Sequence, residues 1–246
     1  MNITFIGCGD AFSKLLGHNS ALITIGESNL LIDIPDSNYL RLDQIGLSYS
    51  DIDHLYITHL HADHINGLEK FAYYRKYISP LENKDQSVSK INLYIHESIV
   101  EGLWDSVKNG LGLTNDGPKK LEDYFNVIVV TDSFIINGVT FNLIESKHVP
   151  NMPVYGLFVE NEFYYTADSS FNGDLLKRIL PNVKKVFHDI HFYEFKIPVH
   201  ASVYDFEALA IEEKEKIYAM HYEDQKAGST NINGIKLVQP FESIKI

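Results

Sequence analysis

Nine short runs of β-branched and aromatic residues punctuate the first two thirds of this chain, each about the length of a strand. They are "ITFIG" (3–7), "SALITIG" (20–26), "NLLIDI" (29–34), "DHLYIT" (53–58), "INLYIH" (91–96), "NVIVVT" (126–131), "VTFNLIE" (139–145), "VYGLFVE" (154–160) and "FYYTAD" (163–168). Turn-forming residues bound each run, and Asn137-Gly138 inside "IINGVTF" is a strong hairpin signal. "VENEF" reads as a second tight turn. Helical patterns sit between the strands: "SNYLRLDQIG" ending at Gly46, "HINGLEKFAYYRKYI", "HESIVEGLWDSVKNGL", and "NGDLLKRILP" ending at Pro181. Strand meanders with interleaved helices in two similar halves imply two mixed β-sheets face to face, with helices outside. A single domain over 1–246 is expected, with "ENKDQSVSK" (82–90) as one exposed loop.

At 246 residues and 45% hydrophobic content the chain can fill one core. No apolar run approaches the length of a membrane span, and "MNITFIGCGD" lacks the basic flank of a signal peptide, so a cytoplasmic protein is expected. Cys8 is the only cysteine, which excludes internal disulfides and thiolate-rich zinc sites and leaves Cys8 as a small buried hydrophobe. The net charge of -12 sets 21 Lys and Arg against 33 Asp and Glu. That balance makes a long nucleic acid a poor partner, while a small anion in a metal-lined pocket remains compatible.

"THLHADHINGLEK" (58–70) follows a strand and carries His59, His61, Asp63 and His64 within six positions. A loop leaving a strand aims alternate side chains at one point, and the turn into the next helix aims Asp63 and His64 at a neighbouring one. Imidazoles with a carboxylate suit zinc or another borderline divalent ion. His148, Asp168 and His221 each stand where an apolar strand gives way to polar residues, the same location as His59. Taken singly each reads as a loop residue; together they point to one rim.

His59-x-His61-x-Asp63-His64 followed by His148, Asp168 and His221 resembles the motif series of the metallo-β-lactamase superfamily, and "LLIDIPDS" resembles its first motif. The resemblance covers nearly the whole chain and implies an αββα sandwich. It further implies two divalent ions, most readily Zn2+ with Mn2+ as an alternative: His59, His61 and His148 around one, Asp63, His64 and His221 around the other, and Asp168 bridging. Asp33 would orient the histidine loop, and Asp63 would double as a catalytic carboxylate. Two such ions with Asp63, Asp168 and one hydroxide carry about +1, the complement of one phosphodiester.

His200 lies in the loop before "SVYDFEALAI", a helix-like stretch, 21 positions ahead of His221. It resembles the phosphate-contacting histidine of the tRNA 3′-processing endonucleases (RNase Z) and related phosphodiesterases, and Asp189 resembles the acidic residue that supports it after the preceding strand. By that resemblance both are catalytic, neutralising the phosphate or protonating the leaving oxygen. His18 matches a polar, site-facing loop; His188 and His191 are structural or edge the pocket; His54 and His96 are ordinary. RNase Z carries a long basic arm that clamps tRNA, whereas here only eleven residues separate Gly156 from Asp168. The compact chain, through "FIGCGDAFSKLLGHNSALI" and "THLHADHINGLEKFAYYRKY", resembles the phage anti-Pycsar proteins and their bacterial relatives. These are phosphodiesterases that destroy 3′,5′-cyclic mononucleotide alarm signals such as cyclic CMP and cyclic UMP. The resemblance implies hydrolysis of those nucleotides, and of cyclic AMP and cyclic GMP, to nucleoside monophosphates. It also implies a viral counter-defence role in the host cytoplasm and a homodimer whose partner subunit contributes to the pocket. Tyr73, Tyr74 and Tyr77 are read either as base-enclosing residues or as packing. The competing readings are an RNase Z-like tRNA-processing nuclease, a lactone or thioester hydrolase on the same metals, and a non-catalytic sponge for a signal molecule.

Overall fold

The computed structural model describes residues 1–82 and 90–246, so the expected exposed loop falls almost entirely outside the described residues. Two mixed sheets form the body. The first has seven strands in the order Ser243–Lys245, Asn2–Gly7, Ser20–Ile25, Ser28–Ile32, His54–Ile57, Asn92–His96 and Asn126–Val130. The second runs Asn231–Ile232, Ile235–Leu237, Ile217–Met220, Lys185–His191, Phe163–Tyr165, Tyr155–Val159, Val139–Glu145 and Ser133–Ile136, with Ala201–Ser202 beside Lys185–His191.

The period-two alternation of strands sorts the apolar residues. Leu30, Ile32, Ile3, Phe5, Ile23 and Tyr56 join Phe141, Leu157 and Phe163 of the second sheet in one core cluster. Their neighbours Leu31, Leu22, Leu55, Ile57 and Leu93 pack the other way, against Leu68 and Phe71 of helix Leu68–Tyr73 and Leu103 and Val107 of helix Val100–Leu111. Burying such side chains contributes about 1.5–3 kcal/mol each. On the second sheet, helix Gly173–Ile179 adds Leu176 and Ile179 to the core, and Asn172 caps it by accepting from the Leu175 N–H at 3.1 Å. This is the αββα arrangement that the sequence implied.

Strand direction decides where the site lies. His54–Ile57 runs parallel to Ser28–Ile32 and Asn92–His96, so their carboxyl ends share one edge. In the second sheet, Phe163–Tyr165, Lys185–His191 and Ile217–Met220 are mutually parallel. Val139–Glu145 lies two antiparallel steps from Phe163–Tyr165 and points the same way. Loops leaving carboxyl ends are where α/β sheets place ligands. The two edges are tied together: the Tyr155 N–H donates to the Thr58 carbonyl at 3.1 Å, and the Tyr56 hydroxyl donates to the Tyr155 carbonyl at 2.9 Å.

Four expectations of local structure need correcting. The expected continuous helix from His64 is broken into Ala62–Ile65 and Leu68–Tyr73, followed by a π-turn over Tyr74–Ile78. The break falls at Gly67, where a Cβ would lie 2.6 Å from the Ile34 carbonyl oxygen. "FYYTAD" is a strand only over Phe163–Tyr165, because Ala167 turns left-handed at φ 54°. "SVYDFEALAI" is a single 3-10 turn, Val203–Phe206, before the short helix Ile211–Lys214. Asp189 lies inside the strand Lys185–His191 rather than beyond its end.

Candidate metal centre

The strand His54–Ile57 ends at Thr58, and His61 stands at the amino end of helix Ala62–Ile65 with extended backbone (φ -67°, ψ 147°). That turn puts His59 and His61 on the loop and Asp63 and His64 in the first helical turn. The Ile34 N–H donates to the His64 carbonyl at 2.7 Å, holding this helix to the Asp33 loop.

Two groups of donor atoms result. In the first, His59 Nε2 lies 3.1 Å from His61 Nδ1, and His148 Nε2 lies 3.2 Å from the same atom. Asp168 Oδ2 stands 3.7 Å from His59 Nε2 and 3.9 Å from His148 Nε2. In the second, His64 Nε2 is 3.3 Å from both Asp63 Oδ2 and Asp168 Oδ1. His221 Nε2 is 3.4 Å from Asp63 Oδ2 and 3.3 Å from Asp168 Oδ2. Asp168 belongs to both groups, and each group is compact enough to hold a metal ion.

The outer nitrogens of these rings set which inner nitrogen is bare. His59 Nδ1 is 3.0 Å from the Thr58 hydroxyl, whose own proton goes to Asp33 Oδ2 at 2.8 Å. His64 Nδ1 donates to Asp33 Oδ2 at 2.8 Å, and His148 Nδ1 donates to the Val199 carbonyl at 2.8 Å. With the Nδ1 proton so placed, His59, His64 and His148 turn Nε2 lone pairs inward. Lone pairs a little over 3 Å apart repel unless a cation lies among them. The buried His64 Nε2 and Asp168 Oδ1 have no hydrogen-bond partner among the described residues, as expected for atoms built to ligate a cation. The donor set fits a pair of divalent ions.

Protonation agrees. Burial, reinforced by neighbouring imidazoles, pushes His59 well below the ordinary histidine value, and burial lowers His61 and His148 as well. Those three are neutral and ready to ligate at pH 7. Burial also opposes charge on His64 and His221, but the carboxylates outweigh it, chiefly Asp168 with Asp33 for the first ring and Asp189 for the second. The carboxylates that favour those protons would equally favour a cation in their place. Asp63 is buried against its charge, yet His64 and His221 hold it far below the usual carboxylate range.

Beside the second group stands the pair read from sequence. His200 Nδ1 donates to Asp189 Oδ2 at 2.6 Å, and the same oxygen accepts the Ser169 N–H at 2.9 Å. Burial lowers the His200 pKa, but the Asp189 carboxylate raises it more, and the net shift is upward. Its ring stacks on His221 at 5.1 Å and meets His148 edge-on at 4.9 Å. His200, Asp189, Asp168 and His221 form a third compact cluster, and 19% of the His200 side chain is exposed.

Three strand ends around the rim hold left-handed backbone without glycine: Asp33 (φ 60°), Ala167 (φ 54°) and His221 (φ 57°). Non-glycine residues in that region concentrate at functional sites. The remaining histidines separate cleanly. His18 Nδ1 is buried and unpartnered near Asp63, His64 and His221. His188 Nδ1 donates to the Asp189 carbonyl at 2.7 Å. His96 accepts the Ser98 N–H and stacks on Tyr155, and His54 meets Asn92 at 3.2 Å. Tyr73 and Tyr74 pack on the helix-side core, with Tyr77 stacked on Tyr73. Cys8 is fully buried. Sequence reasoning missed Thr58, which precedes His59 directly, and Glu223, two residues beyond His221 and 2% exposed.

The fold and the two histidine-aspartate clusters where the two sheet edges meet define a metallo-β-lactamase-fold protein. The metallo-β-lactamase fold protein YhfI from Bacillus subtilis superposes with a TM-score of 0.76 over 98% of each chain at 17% identity. The family model described as "Anti-Pycsar protein Apyc1" matches residues 1–242, and the chain belongs to that family. The anti-Pycsar protein Apyc1 of Paenibacillus harenae is 35% identical over 98% of both chains. That of Bacillus phage vB_BsuM-Goe3 is 36% identical over 90% of this chain and 89% of its own. Among the described residues no helix is long and apolar enough to cross a membrane.

Proposed function

We propose that this chain is a dinuclear metal-dependent phosphodiesterase that opens 3′,5′-cyclic mononucleotides, cyclic CMP and cyclic UMP among them, to linear nucleoside monophosphates. The observation that carries the reading is His200 bonded to Asp189 at 2.6 Å, beside two donor groups that share Asp168. His59, His61 and His148 would hold one ion, Asp63, His64 and His221 the other, with Asp168 common to both. Divalent ions held there supply Lewis acidity and an activated water for attack on phosphorus.

The chain's own residues do the rest. Asp33 and Thr58 lock the rings of His59 and His64 in the ligating tautomer. Asp189 fixes one face of His200 and favours its protonated form, so its other nitrogen can neutralise charge on the phosphate or give a proton to the departing ribose oxygen. A lactone or thioester has no need of this second cationic group, and binding without turnover has no need of an activated water. The acidic chain, with net charge -12, gives a long RNA no attractive field. The family's name supports a counter-defence role, removal of a host immune signal, and we extend the reading to a homodimer, which light scattering tests.

The test incubates the protein with cyclic CMP, cyclic UMP, cyclic AMP, cyclic GMP and a precursor tRNA, each with zinc or manganese. Cyclic nucleotides should yield linear monophosphates. Rapid tRNA cleavage with inert cyclic nucleotides would assign the chain to tRNA processing, and inertness on all five would reopen lactone and thioester hydrolysis.

A further inference from the structure

A cavity of about 280 Å3 adjoins the His200 side of the metal centre, and nothing in the ligand set explains it. That is the scale of the smallest ligand pockets. His200 and His221 are among its lining residues, so whatever fills it lies beside the metal centre. Phe12, Tyr193 and Phe195 give it an aromatic wall; Tyr193 and Phe195 are stacked at 5.0 Å and 13°. Phe12 is 88% exposed and Phe195 63%, large apolar faces left in water at the mouth of a polar site.

Two polar atoms among the lining groups are buried and unpaired. His191 Nε2 accepts the Ile197 N–H at 3.3 Å, which leaves its proton on Nδ1, and that donor has no partner. Glu223 Oε2 accepts the Phe192 N–H at 3.2 Å, while its Oε1 has none. His191 is 3% exposed and Glu223 2%. An unmade hydrogen bond at such depth costs about 1–3 kcal/mol, so an unpaired donor and an unpaired acceptor on two residues that line one pocket point to a ligand that completes both.

We infer that this pocket binds the nucleobase of the substrate, its ring against Phe12, Tyr193 and Phe195 and its edge paired with Glu223 and His191. The inference rests on the phosphodiesterase reading and adds to it the residues that grip the part of the substrate that does not react. Each common base presents an N–H beside a ring or carbonyl acceptor, the complement of the carboxylate oxygen and the imidazole N–H that these two lining residues offer. The aromatic wall tolerates any base, and the polar pair discriminates among them.

The experiment compares cyclic CMP and cyclic AMP with the abasic analogue methyl riboside 3′,5′-cyclic phosphate, using the metal-loaded enzyme. The Phe12→Ala/Phe195→Ala variant should raise KM for both nucleotides roughly 5- to 100-fold, the range for lost base stacking, and leave KM for the abasic analogue unchanged. Binding of the Rp-phosphorothioate of cyclic CMP, followed by calorimetry, should weaken by the same factor at undiminished metal content. Glu223→Gln should change the ratio of kcat/KM between cyclic CMP and cyclic UMP by roughly tenfold, the scale of one mispaired hydrogen bond. Equal handling of nucleotide and abasic substrate by the unmodified enzyme would overturn the inference and leave the phosphodiesterase reading standing. So would a loss that is the same for every substrate and accompanies a change of oligomeric state, which would assign the aromatics to a subunit contact. An unmodified enzyme that hydrolyses no cyclic nucleotide defeats the functional reading itself.

Discussion

His200 has one ring nitrogen committed to a carboxylate, and it stands outside the donor groups of His59 and of Asp63, in the third cluster with Asp189. Losing it should therefore separate chemistry from metal binding. His200→Ala is expected to keep the metal load and lower kcat by roughly 10²–10⁴, the range for a general acid or charge stabiliser. Asp189→Asn should have a milder effect in the same direction; metal analysis beside steady-state rates distinguishes this from loss of a ligand. Cys8 makes the opposite case. Burial pushes its thiol up to about 12, and its Sγ–H donates to the Tyr222 hydroxyl at 3.6 Å. At pH 8 the native protein should react with iodoacetamide at least roughly a hundredfold more slowly than the denatured chain, because thiolate and access are both missing. Rapid labelling of the native protein would contradict the buried placement.

The loop 10–16 shows how one carboxylate orders an element. Asp224 accepts from the Ser13 hydroxyl at 2.5 Å and from the N–H groups of Lys14, Leu15 and Leu16 at 2.7–3.2 Å. Burial opposes its charge, but these hydrogen bonds outweigh it and hold its pKa below 3.8. A depressed carboxylate contributes stability in full above its ordinary value, and that contribution is lost as pH falls through the folded value. Asp224→Asn should therefore cost about 1–2 kcal/mol at pH 7, and the gap from the unmodified protein should narrow as the pH falls through the depressed folded value. Thermal melts across pH measure it. Legibility from sequence divides at this scale. Runs such as "SALITIG" and the Asn137-Gly138 turn carry their structure locally, in pattern and turn chemistry. His59 to His64 were legible because the donors crowd one loop. The interruption at Gly67 was not, since its cause is the Ile34 carbonyl on another loop, which local helical period cannot register. Lys185–His191 carries no plain strand signal, because His188, Asp189 and His191 break its apolar run. The aromatic pocket joins residues near positions 12, 195 and 223, and no spacing announces that meeting.

Across the whole molecule, both donor groups straddle the two sheets. His59 and His61 leave the first sheet and His148 and Asp168 the second; Asp63 and His64 leave the first and His221 the second. Ions held there would therefore act as rivets between the layers. At about a hundredfold excess over Kd, each ion stabilises the native state by about 2.7 kcal/mol, so chelation should lower Tm by at least roughly 5–10 °C, the figure for one ion. Scanning calorimetry with and without EDTA, then with zinc restored, reads that shift; an unchanged Tm would deny the ions this tie. The order of events during folding follows. A chain with one sheet formed carries only half of either donor group and has no complete cage for an ion. On the proposed reading, a chain with one sheet unformed would retain no ion and would have no activated water to turn on a substrate.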